Sequence, residues 1–454
     1  MPAIITDRFK KEILTNLQQD IDSSANNYYV GIGQPVDWNQ TDTPTTPTNA
    51  IATIRDAQYN MMSVKNVEAH SFVVPRYTWV LGAIYQAWSD KSVGHPSNSF
   101  YVITDENNVY VCLEQGKNSA GQAVTSTVKP SGTLTTSFET GDGYVWKFLY
   151  SVGALRASRF LAANFMPVTQ FGLFDSSSPA DHVEQVGIQN AAVKGQIAGF
   201  DVLGGGSGYT TVPTVTVVGD GVAAGAVATI SGGAVTKIEL KDSDGNKAHG
   251  RNYSKAHLNI TGGGGTGANG RVRLGPVSGF GADPRDDLKA TAIMFTSKPD
   301  GAEGSNWVIG NDFRQVTLIK NPLHSDSDGQ FTGVTGNALK RLEFGSITSN
   351  FTADDTITGA TSLAAARVVK FDSDTVWYIQ DSDTKFVEFT EGETITSGSG
   401  GAGVLEAVGV DAGDSAYVSG AVDPMTGEII YIDNRAPIVR SADQTEDIKI
   451  IIQL

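Results

Sequence analysis

A single cysteine, Cys112, stands in 454 residues, so an internal disulfide and a Cys-rich metal site are both excluded, which fits folding in a reducing compartment. Uninterrupted apolar runs of about 18 residues are missing, which excludes a membrane-spanning helix and membrane insertion through one. Basic residues are in deficit, 33 Lys and Arg against 49 Asp and Glu, and the net charge of −16 repels phosphate and argues against a nucleic-acid partner. Charged residues of all kinds make up only 18% where about 25% is usual. The start, MPAIITDRFKKE, carries charges where a signal peptide needs its apolar segment, so no secretion route is expected. Helical spacing is also scarce. It occurs from Thr6 to Ile21, where Phe9, Ile13, Leu14, Leu17 and Ile21 share a face and Thr6 or Asp7 can cap the first turn, and again from Ala154 to Ala163.

What is abundant is glycine, 51 residues, and short strand-like runs between turn residues. Tyr28 to Gly33, Ser99 to Thr104, Val109 to Leu113 and Val316 to Ile319 are of this kind, and Cys112 reads as a core residue of its strand. An all-β class follows. Two stretches repeat internally. Between about Gln196 and Leu274, Tyr209 and Tyr253 open two units of turn, strand, glycine loop and strand, offset by 44 residues. Between about Phe344 and Val408, Phe351 to Thr358 recurs as Phe389 to Thr396, an offset of 38. The expected organisation is a core domain of residues 1–195, 276–343 and 411–454. Into it are inserted a Gly-rich repeated β-hairpin module, 196–275, and a Thr/Gly-rich β-repeat module, 344–410.

The chemistry-bearing motifs read mostly as turns. Gly204 to Gly208 resembles a phosphate cradle, yet strand residues follow it where a helix would be needed, so a hairpin turn is expected. Asp-Ser-Asp occurs at Asp242/Asp244, Asp326/Asp328, Asp372/Asp374 and Asp381/Asp383 without the further carboxylates of an EF-hand loop, and Asx-type turns are expected. The six histidines make no zinc-binding pair on a helix, and no Gly-x-Ser-x-Gly elbow is present. Asp354/Asp355 and Glu391/Glu393 have glycosidase composition, and a solvated hairpin face is the expectation. No catalytic set, cofactor or metal is therefore expected.

Three segments are unlike generic β-protein. Gly141 to Tyr150 is a Gly-Asp-Gly turn (Asp142) feeding a strand with Tyr144, Trp146, Phe148 and Tyr150 on one face, which must be buried. Asp312 to Leu323 is a strand, Phe313-Arg314-Gln315 onward, closed by Asn321-Pro322. The end runs through Tyr431, Asn434-Arg435, Pro437-Ile438 and Asp443-Gln444-Thr445-Glu446 to an alternating Ile448, Ile450, Ile452 strand. In that order, these motifs resemble the homodimeric baseplate wedge subunits of T-even-like contractile-tail bacteriophages. Val74-Pro75-Arg76 with Trp79 fits more loosely, and the two modules depart from the compact family pattern.

The resemblance implies a layered β-sandwich core with a short N-terminal helix and a non-enzymatic, structural role in the tail baseplate of the virion, assembled in the host cytoplasm. The partners it implies are a second copy, other baseplate wedge proteins, and tail-fibre or peripheral baseplate proteins through the inserts. Trp79, Tyr85 and Trp88 are candidates for core and for dimer interface alike. Arg314 and Arg435 are candidates to pair with Asp142 or Asp443. The competing class is a glycan-binding adhesin or polysaccharide depolymerase, whose stacking platform would have to come from Tyr209, Tyr253, Trp377 and Tyr378.

Overall fold

Short runs of β-branched and aromatic residues, each stopped by Gly, Asn, Asp or Pro, can bury themselves only by pairing side by side. The computed structural model describes residues 3–95, 99–172, 178–299, 306–309, 311–406, 421–440 and 445–454. Strands account for 41% of the chain and helix for 11%, and the class is all-β. Two compact units are formed, one from Met1–Leu14, Ser71–Met294 and Ile451–Leu454, the other from Thr15–His70 and Phe295–Ile450.

In the first unit a four-stranded sheet has the order Tyr101–Ile103, Asn108–Glu114, Val145–Ser151, Phe138–Glu139. Cys112 lies opposite Trp146 and Tyr110 opposite Phe148. The aromatic face of Val145–Ser151 packs with Tyr85, Val102 and Ile188, the last contributed by the helix Ala180–Asn190. The opposite face is buried too, Lys147 included, so this strand is covered on both sides.

The Gly-rich stretch belongs to the first unit. Ile197–Ser207 pairs with Thr266–Leu274, and Thr214–Gly219 pairs with Ala256–Thr261, Thr214 opposite Thr261 and Gly219 opposite Ala256. Gly204 to Gly206 are therefore strand residues, not a hairpin turn; the partner strand holds them extended until Gly206 turns to a φ of +64°. The hairpin turn is at Gly232-Gly233, both at positive φ, where a two-residue turn of matching twist demands it. The repeat has a structural meaning. Tyr209 covers Gly263 and Gly265, whereas Tyr253 covers Gly219 and Gly221, so the ring of each copy lies on the bare backbone of the other. A Cβ on Gly265 would stand 2.5 Å from Tyr209 Cγ.

The second unit contains a five-stranded sheet in the order Thr335–Asn337, Met61–Asn66, Tyr28–Gly33, Phe313–Lys320, Glu428–Ile438. It also contains a closed six-stranded barrel, Lys340–Ser349, Thr375–Ile379, Ala365–Asp372, Thr356–Gly359, Thr394–Ser397 and Ala402–Leu405 in order round the wall. The two copies of the Phe-Thr repeat meet in that barrel. Thr358 pairs with Thr396, its own equivalent, and Ile357 and Ile395 enter one core with Phe351 and Phe389. Closure removes the sheet edges that either copy alone would leave open.

The first helix is Asp7–Ile21, with Thr6 Oγ1 accepting from Phe9 N at 3.3 Å. Helices Ile51–Tyr59 and Ala180–Asn190 were not expected. Neither has a side-chain cap at its start, Ala50 and Pro179 standing there, so the local signal that marks a helix start is absent. No helix among the described residues is long and apolar enough to cross a membrane.

Candidate functional site

The residues singled out from the sequence fall into a few places. Tyr85, Tyr144 and Trp146 are buried in one aromatic core, Trp146 stacked on Tyr144 at 5.8 Å and edge-on to Tyr85 at 5.5 Å, with Trp79 packed against it. Trp79 Nε1 donates to Ser126 Oγ at 3.1 Å. Trp88 is also buried, edge-on to Phe280, and donates to the Asp287 carbonyl at 3.0 Å. The apolar residues exposed on this segment are its neighbours Val80, Leu81 and Ile84.

Asp142 anchors a loop. Its Oδ2 accepts from the amides of Thr127 (2.7 Å) and Val128 (2.9 Å) and from Ser126 Oγ, and its Oδ1 accepts from Thr140 Oγ1. Burial opposes its ionisation, but these hydrogen bonds outweigh burial and hold the carboxyl below its usual range. No arginine takes part, so the expected pairing of Arg314 or Arg435 with Asp142 is not what forms. Arg314 instead clamps the segment after Tyr28–Gly33: Nε on both Asp42 oxygens (2.8 and 2.9 Å), a terminal nitrogen on Asp37 (2.7 Å) and another on the Pro35 carbonyl (2.7 Å). The Arg314 hydrogen bond lowers the Asp42 carboxyl. Arg435 pairs with its near neighbour Asp433, two residues away on the same strand.

Phe313 is buried beneath the Arg440 guanidinium, 5.0 Å from its ring centre. Asn321, at φ +50°, ties two strand ends by accepting from Asn27 N at 2.7 Å and donating to Asn26 Oδ1 at 2.8 Å. The Pro322 carbonyl accepts from Phe331 N. Asn434 accepts from Gln315 Nε2 at 2.8 Å, and Pro437 is exposed near the end of the edge strand Glu428–Ile438, where its missing N–H costs nothing. Asp443 and Gln444 lie outside the described residues.

Of the paired acids of the barrel repeat, Asp354 and Glu391 are exposed as expected of a solvated face, whereas Glu393 is not. Glu393 is 5% exposed, and its carboxylate accepts from the amides of Thr361, Ser362 and Thr390 at 2.8–2.9 Å and from Ser362 Oγ at 2.6 Å. Asp355, the equivalent acid of the first copy, accepts from the amide and hydroxyl of Ser399, the equivalent of Thr361. Each copy thus caps a turn of the other. Burial pushes the Glu393 carboxyl up, and the hydrogen bonds bring it below its ordinary 4.5. A depressed carboxyl stabilises the fold fully above the unfolded value and loses that contribution as pH falls through the folded value. Glu393→Ala is expected to cost about 3 kcal/mol at pH 7, with three amides left without an acceptor. Urea unfolding midpoints should show the gap between wild type and variant shrinking below pH 4.5.

The Asp-Ser-Asp sites behave as turns where they are seen: Asp242 Oδ1 accepts from the amides of Asp244 and Asn246, and Asp381 Oδ1 from those of Asp383 and Thr384. Tyr209, Tyr253 and Tyr378 are packed inside their modules, and Trp377 is half-buried with Lys370 Nζ 4.8 Å above its ring. Cys112 is buried, and burial pushes its thiol far above the usual range.

One constellation was not foreseen. A cavity of about 360 Å³ in the first unit is lined by Thr135, Ser137, Lys147, Lys247, His249 and Arg251, among others. Ser137 Oγ is 2.8 Å from His249 Nε2, and His249 Nδ1 is 2.9 Å from the Ile197 carbonyl. A carbonyl only accepts, so Nδ1 carries the proton, and in the neutral ring that burial favours, Nε2 accepts from Ser137. Lys147 Nζ donates to the Thr135 carbonyl, and burial lowers its pKa to about 8. Ser137 and His249 are far apart in sequence and neither lies in a local motif; His249 arrives on the short strand His249–Arg251, which pairs with Val222–Ala224. No protein-family model matches the chain, and no curated protein matches it at a significant level.

Proposed function

We propose that this chain is a structural subunit of a contractile-tail baseplate wedge, a homodimer that joins outer wedge proteins to the inner wedge. The reading rests on the ordered motifs and is supported by how two of them are used. Phe313–Lys320 and Glu428–Ile438, over a hundred residues apart, are neighbouring strands joined by the Gln315–Asn434 side-chain bond. The candidate Asp142, Arg314 and Asn321 hold loops and strand ends.

The observation that carries an assembly role is on the first helix and the residues just before it. Ile5, Phe9 and Ile13, four residues apart, are 60%, 54% and 41% exposed, and Ile4 beside them is 83% exposed. An amphipathic helix normally turns such a stripe inward, and one left in solvent supports a contact surface for a partner subunit. The net charge of −16 keeps free subunits apart from one another's acidic surfaces and favours basic partner surfaces. A Phe9→Asp, Ile13→Asp double variant is expected to keep its far-UV spectrum and melting point while losing self-association, seen as a fall in mass by light scattering. The wedge role is tested by gel filtration after mixing the chain with wedge proteins of a contractile tail. Co-elution in a defined complex is expected; separate elution from every wedge protein would count against the role.

A further inference from the structure

We infer that the cavity beside His249 is a binding site for a small molecule carrying an oxyanion, a phosphate or carboxylate group. In a chain of charge −16 its wall holds Lys147, Lys247, His249 and Arg251, and no aspartate or glutamate among the described residues. Lys247, His249 and Arg251 occupy alternate positions of one segment, and Lys147 comes from the strand Val145–Ser151. Gly250, at φ +63°, is held bare between them, because a Cβ there would stand 2.8 Å from the Val222 carbonyl and 2.7 Å from the Tyr253 ring. The segment is therefore shaped to present its basic residues from a tight backbone.

The charge is only partly matched from within. Lys247 has Glu114 at 3.4 Å and Glu139 at 3.2 Å, both outside the lining. No carboxylate among the described residues is within ion-pair distance of Arg251 or Lys147. Of the three protons on the Lys147 ammonium, the Thr135 carbonyl takes one. The acid that acts on Lys147 electrostatically is Asp287, which is not among the residues lining the cavity and whose carboxyl is held above its ordinary value by burial. A desolvated lysine with no carboxylate at ion-pair distance is costly, and an anion in the cavity would stand as a direct partner. Ser137 and Thr135 in the lining add polar groups, and the volume suits a ligand of a few to a dozen heavy atoms.

The test is calorimetric titration of the full chain, at low ionic strength, with inorganic phosphate and separately with citrate. Saturable binding of one equivalent is expected for at least one probe, and which one binds identifies the anionic group. Arg251→Ser, at an exposed position, and Lys147→Met are each expected to weaken binding about tenfold or more, the loss of one charge-assisted hydrogen bond. Lys129→Ser, which removes an equal charge paired with Asp105 and Glu106 on another loop, should leave the affinity unchanged. Should Lys147→Met fold poorly, Arg251→Ser against Lys129→Ser decides alone. No saturable heat with either probe, or equal weakening by Lys129→Ser, overturns the proposal.

Discussion

Replacing Arg440 with methionine is expected to destabilise the chain by about 3–5 kcal/mol, read as a fall in the urea midpoint at unchanged slope. Its side chain is fully buried and makes four contacts at once. It donates to the carbonyls of Val308 (2.6 Å) and Asn311 (3.0 Å), pairs with Glu446 at 3.2 Å and covers the Phe313 ring. Methionine fills much of the space but leaves Glu446 as a buried acid without its cation, and burial already pushes that carboxyl above its ordinary value. The double variant Arg440→Met, Glu446→Leu should recover part of the loss, because the cost lies in the abandoned charge more than in the lost attraction. A loss under about 1 kcal/mol in the single variant would mean that the pair is solvated.

Trp146→Ala is expected to cost a similar amount, about 3–5 kcal/mol, through the cavity it leaves between Tyr144 and Tyr85. Both faces of its strand are covered, so the neighbours have little room to close the gap. Trp146→Phe keeps an aromatic ring in place and should cost distinctly less. Differential scanning calorimetry of the two variants separates the outcomes, and equal small losses would place the ring outside the cooperative core.

These two sites also show what could be read from the sequence. The alternation of Tyr144, Trp146, Phe148 and Tyr150 marks a buried face by strand period alone, and all four are fully buried. The recurrence of Phe351 as Phe389 and of Tyr209 as Tyr253 is visible as spacing. That the copies close a single barrel, or exchange rings over each other's glycines, is not, because pairing between copies depends on loop geometry. Glu393 looked like a surface acid because nothing local says that its acceptors will be filled by Thr361 and Ser362, some thirty residues earlier. Arg314 found Asp37 and Asp42 for the same reason: the partner is chosen by a strand pairing across nearly three hundred residues. The cavity of Ser137, Lys147 and His249 has no sequence signature, since each residue arrives on a different strand or loop.

The proposed pairing of this chain with itself as an assembly subunit is tested first by the mass of the purified wild-type protein in solution. Light scattering after gel filtration is expected to give a concentration-independent dimer, twice the chain mass of 47.9 kDa, that reverts to one chain in the Phe9→Asp, Ile13→Asp variant. A clean monomer of the wild type at every concentration would contradict the claim.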